Sequence, residues 1–95
     1  MNSKLQDIYQ KQLDLLCKSE GIILSEELAQ RKLDLVFRGL MDLSFDDEDF
    51  DHKHSLLTGQ HEVLTDLMAE IASQRAGINA KVKSLRLQAE ALRAA

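Results

Sequence analysis

Proline and tryptophan are absent from these 95 residues, cysteine occurs once and glycine only four times. Such a chain lacks the usual punctuation of β-rich folds and of disordered, low-complexity segments, and a few long helices are the architecture left. A single cysteine, Cys17, excludes an internal disulfide, a paired-thiol redox motif and a thiolate zinc cage. It fits a reducing cytoplasm. Three Phe and one Tyr provide few large anchors, so aliphatic side chains must supply most of the burial. Nothing approaches the roughly 18 to 20 apolar residues of a membrane span, and Met1 to Gln10 are polar and amphipathic, so a soluble, unexported, cytoplasmic protein without membrane insertion is expected. A chain of this length buries on the order of 60–65% of its surface, which makes a self-sufficient core thin.

The net charge of −4 is unevenly placed. Residues 1–72 carry seven Lys and Arg against fifteen Asp and Glu, a balance of −8, while residues 73–95 carry five against one, a balance of +4. The two ends attract each other. So acidic a body is a poor partner for phosphate backbones, which excludes nucleic acid as the expected ligand.

Three helices are expected, over about 4–20, 26–43 and 53–93, in one domain spanning 1–95. Ser3 with Gln6 three residues later has the form of a capping box, and Leu5, Ile8, Tyr9, Gln12, Leu13 and Leu16 follow along one side. Gly21 is placed to end that helix and Ser25 to cap the next, with Glu26 and Glu27 at the positive end of its dipole. Ala29, Leu33, Val36, Leu40 and Leu43 then form a heptad seam, flanked by Leu28, Leu35, Phe37 and Met41. The acidic stretch from Ser44 to Asp51 reads as a solvated connection whose Asp residues suit the start of the last helix. In that helix Leu57, Leu64, Ile71, Ile78, Leu85 and Leu92 recur every seventh residue, with His61, Met68, Arg75, Val82 and Ala89 completing the seam. The fold class is all-α: an antiparallel three-helix bundle, or a helical hairpin, with a long C-terminal helix.

No constellation points to catalysis. His52 and His54 are two residues apart, whereas a helical metal pair needs a spacing of three or four, and His61 reads as a seam position. The ladder Glu62, Asp66, Glu70 has no opposed partner ladder of the kind that holds magnesium in helical nucleotide pyrophosphohydrolases. Arg31, Arg38 and Arg75 are scattered among acids, unlike the converging arginines of a helical chorismate mutase. Neither a glycine-rich phosphate loop nor a recognisable nucleophile context is present. Cys17 reads as a small apolar residue buried at the end of the first helix. The expectation is a non-enzyme with no cofactor and no metal.

The stretch Leu28 to Leu43, Leu-Ala-Gln-Arg-Lys-Leu-Asp-Leu-Val-Phe-Arg-Gly-Leu-Met-Asp-Leu, resembles the second helix of flagellar export chaperones of the FliT type, and Leu64 to Leu92 resembles their terminal helix. The similarity is one of layout and covers nearly the whole chain. It implies a cytoplasmic chaperone that binds an amphipathic terminal helix of a filament-cap subunit, prevents early assembly and passes it to the export machinery. A protein partner of that kind would lay its apolar face into a groove between the second and third helices. The residues expected to bind it are Leu33, Val36, Phe37, Leu40 and Met41, facing Leu64, Met68, Ile71, Ile78 and Val82. The alternative is a homodimeric coiled coil, structural or regulatory, with no client groove.

Overall fold

The computed structural model describes residues 3–95; Met1 and Asn2, included in the expected domain, lie outside the described residues. The described chain is all-helical and forms two helices, α1 (Ser3–Asp42) and α2 (Phe50–Ala94), with no strand among the described residues. The last helix matches its expected span to within three residues. The expected break between a first and a second helix is not there: Gly21 and Ser25 lie inside α1.

The physical reason is visible in the burial pattern. Leu5, Ile8, Gln12, Leu15, Ser19, Ile22, Glu26, Ala29, Leu33, Val36, Leu40 and Leu43 are the buried or half-buried positions of α1 up to the turn, apart from Gly39, and they alternate in steps of three and four without a phase slip. A heptad that keeps its phase across Gly21 gains packing on both sides of it. Ending the helix there would leave a set of backbone donors and acceptors unpaired at each new terminus, against a cost of about 1 kcal/mol for one interior glycine. No described glycine has the positive φ that a helix-closing glycine takes. The same seam corrects the first helix's expected side: Tyr9, Leu13 and Leu16 are exposed, and Leu15 and Ile22 occupy the packed side instead. Cys17, expected to be buried, is exposed.

The chain divides into two compact units. Unit 1 comprises Met1–Leu24 and Ala72–Ala95. Here the start of α1 lies beside the end of α2, and Lys4, Ile8 and Lys11 share a shallow groove with Gln88 and Leu92. Ile8 and Ala89 are its buried apolar residues, with Ile78, Val82, Leu85 and Leu92 half-buried along α2. Arg75, at a seam position, is exposed.

Unit 2, Ser25–Ile71, is a hairpin built from the end of α1, a seven-residue turn and the start of α2. Ala29, Val36 and Ile71 are buried, and Leu33, Leu40, Leu57, His61, Leu64 and Met68 are half-buried between the helices. Close to the turn the two helices approach at Gly39: a Cβ there would lie 3.3 Å from Leu57 Cδ2, tighter than ordinary contact.

The acidic turn is more ordered than a simple solvated connection. The Asp47 carboxylate accepts from the Asp49 backbone N–H at 3.1 Å through Oδ1 and from Lys53 Nζ at 2.8 Å through Oδ2. Asp49 in turn offers its carbonyl to the Lys53 N–H at 2.9 Å, opening the α2 ladder. Ser44 Oγ accepts from the Asp46 N–H at 3.3 Å, and the Ser44 carbonyl from the Asp47 N–H at 3.1 Å. Beside this network Phe50 lies 4.8 Å from the Phe45 ring and 5.5 Å from the His54 ring, centroid to centroid, the latter stacked. His54 is in α2 and rests on Phe50.

Candidate protein-binding groove

The ten residues singled out for partner binding divide between two roles. Val36 and Ile71 are buried, and Leu33, Leu40, Leu64, Met68, Ile78 and Val82 are half-buried, all at seam positions where α1 and α2 pack together. Phe37 and Met41 stand off the seam, 57% and 70% exposed. Ile78 and Val82 belong to unit 1 and the other eight to unit 2.

A groove does exist in unit 2, on one side of the hairpin, with a volume of about 690 Å³. Val36 and Leu64, two of the expected residues, form its floor; Leu35, Leu56 and Val63 form its walls, and Lys32 and Gln60 its rim. The walls are open to solvent, at 63%, 55% and 67% exposure. The helical repeat explains the geometry. On α1, Lys32, Leu35 and Val36 are three and four apart, and on α2 Leu56, Gly59, Gln60, Val63 and Leu64 follow the same rule, so each helix gives one face to the groove. Leu28, seven residues before Leu35, and Leu67, four after Val63, extend the apolar lining along the same helix sides, and both are half or nearly half exposed. Gly59, with nothing within 4 Å of where a Cβ would be, keeps the α2 side low.

Leu56 and Val63 were not singled out from the sequence, although they too repeat at seven. The signal was present but shadowed by the stronger seam repeat one residue on, Leu57 and Leu64. Leu35 reads from the sequence only as a flank of the seam from Ala29 to Leu43. Two adjacent heptad positions both carrying aliphatics on α2, and Leu28 with Leu35 on α1, describe helices with a second apolar stripe beside the first.

Electrostatically the groove has an apolar bed in an acidic setting. Unit 2 carries four Lys and Arg against twelve Asp and Glu, a balance of −8. At its turn, the Lys53 ammonium and the Asp49 amide hold the Asp47 carboxyl below its usual 3.8, and Asp47 raises the Lys53 ammonium above its usual 10.5. These charges serve the turn. Among the described residues no group of three His, Cys, Asp or Glu side chains is placed to hold a metal ion, and no helix is long and apolar enough to cross a membrane. Compared with family models, curated proteins and solved structures, the chain matches none.

Proposed function

We propose that the protein is a non-catalytic helical adaptor that seats an amphipathic helix of a protein partner in the groove of unit 2. The observation that carries this reading is the pairing of exposed Leu35 with exposed Leu56 and Val63 across a floor of Val36 and Leu64. Rows of apolar side chains at helical spacing on two neighbouring helices match the ridges of a third helix laid between them. The expected three-helix bundle is then completed by the partner: two helices come from this chain and one from outside. The setting we favour is the one the layout resemblance implies, a cytoplasmic chaperone whose client is the amphipathic end of a flagellar export substrate.

A fluorescent 18-residue peptide, with leucines alternately three and four residues apart and Gln or Lys elsewhere, tests the groove by anisotropy against a permuted control of the same composition. The ordered peptide is expected to bind, and Val63→Glu or Leu35→Glu to weaken it by roughly tenfold or more, since each places a charge where an anchor would be desolvated. Equal binding of the permuted peptide, or indifference to both substitutions, removes the reading.

A further inference from the structure

The groove of unit 2 does not stop where its apolar walls do. Leu56, a wall residue, also lines a second cavity of about 380 Å³ at the turn, together with Gly39, Asp42, Asp47 and Lys53. Resting on the adaptor reading, we infer that the helix taken by the groove carries a Lys or Arg at each end of its apolar face, and that the cation at one end enters the turn cavity toward Asp42.

Asp42 is the last residue of α1, and the last turn of that helix holds no basic residue. A carboxylate and the negative end of the helix dipole therefore meet at one place, which disfavours the anion there and favours a cation beside it. Asp47, the other carboxylate of the cavity, is matched by Lys53 at 2.8 Å. The cavity's own lysine is thus engaged, and Asp42 sets the sign of what remains. The far end of the groove repeats the pattern. Leu56 and Val63 form the α2 wall seven residues apart, and the next position in that row is the exposed Glu70. On α1 the row Leu28, Leu35 passes by the same step to Asp42. Positions seven apart share one side of a helix, so each wall is apolar for two heptads and then becomes a carboxylate. In the hairpin the two helices run in opposite directions, which puts Asp42 beside the turn and Glu70 at the other end.

Between these ends the groove is lined by one cation, Lys32, so the basic residues of the partner belong at the ends of its face and not along the middle. The apolar lining from Leu56 to Leu67 covers about 17 Å of helix, roughly three turns, and this is the separation the partner's two cations must exceed. The net charge of unit 2, −8, draws in such a helix and opposes an acidic one. Apolar walls that repeat every seven residues tolerate a slip of one repeat, whereas a cation at each end fixes the register.

The test is an anisotropy titration of the full chain with three 18-residue peptides. All carry leucines alternately three and four residues apart with Gln elsewhere, and they differ only in having Arg, Gln or Glu at both ends of the apolar face. The Arg-ended peptide is expected to bind roughly tenfold tighter than the Gln-ended one, and the Glu-ended peptide to bind most weakly. Asp42→Lys and Glu70→Lys should each remove part of that advantage and leave the Gln-ended peptide within about twofold of wild type. The double variant should prefer the Glu-ended peptide. Asp42→Lys puts a cation at the C-terminus of α1, where the dipole favours it, so the variant keeps its fold. Equal binding of all three peptides by wild type, or a double variant that still prefers Arg, overturns the inference; if the Gln-ended peptide still binds and is lost in Val63→Glu, the adaptor groove stands. Failure of every peptide to bind removes both. Wild type at twice the 10.7 kDa chain mass by light scattering, falling to the single mass in Val63→Glu, gives the groove to a second copy and overturns the inference as well.

Discussion

Asp47 shows how much a single residue in this chain is asked to do. Its two carboxylate oxygens hold the Asp49 amide and the Lys53 ammonium, and so tie the turn to the first turn of α2. Both partners favour the ionised form, Lys53 more than the amide, which is why the Asp47 carboxyl titrates below 3.8. The stability it gives the hairpin is therefore fully present above its unfolded value and is lost as pH falls through the lower folded one. Lys53 runs the other way: its ammonium is held above 10.5, so its contribution is complete below that value and is lost as pH rises through the folded one. The carbon-13 titration of the Asp47 carboxyl should have a midpoint below 3.8 in the native chain and move upward in Lys53→Met. A midpoint that does not respond to that substitution removes the Lys53 contact as its main cause.

At the scale of the element, α1 is decided by phase rather than by punctuation. Gly21 followed by Ser25, Glu26 and Glu27 has every local mark of one helix ending and another beginning. The seam overrides them. Extended backward from Ala29 in steps of three and four it runs through Glu26, Ile22, Ser19, Leu15, Gln12, Ile8 and Leu5, four of them apolar, with no residue inserted or lost. Gly21→Ala separates the two architectures by sign. In a continuous helix, where a Cβ at this position meets nothing within 4 Å, alanine should stabilise the chain by about 0.5–1 kcal/mol. At a left-handed helix end the same change would destabilise it, and a lowered denaturation midpoint with unchanged slope would restore the three-helix arrangement.

The seven-residue repeat of α2 and the seam from Ala29 to Leu43 were legible because their apolar residues recur over more turns than any neighbouring stripe. The first half of α1 was not, because its packed positions include Gln12 and Ser19 while its exposed side carries Tyr9, Leu13 and Leu16. Hydrophobicity there points away from the seam. The groove was legible only in part: Val36 and Leu64 were in view as seam residues, whereas its walls are the second stripe that the seam concealed. A sequence gives the period of each stripe more readily than it says which stripe meets the chain's own helix and which is left for a partner.

For the whole molecule, that misplaced hydrophobicity has a consequence for stability. Apolar residues on the wrong side of a seam are exposed liabilities in a lone chain and interface in an assembled one. If folding is completed by a second copy, the melting temperature followed by circular dichroism must rise with concentration, because association and folding share one equilibrium. A chain that keeps its groove for another protein should instead give coincident curves from 2 to 200 µM, and the Arg-ended peptide at 100 times its dissociation constant should add about 2.7 kcal/mol and raise the midpoint by roughly ten degrees or more. Salt then distinguishes what holds that helix. The attraction of its end cations to Asp42 and Glu70 extends about 10 Å at 0.1 M salt and about 3 Å at 1 M. Sodium chloride at 1 M should therefore narrow the gap between the Arg-ended and Gln-ended peptides. A helix held by apolar burial alone would show no gap at either salt concentration, and that outcome would assign the two carboxylates to something other than partner choice.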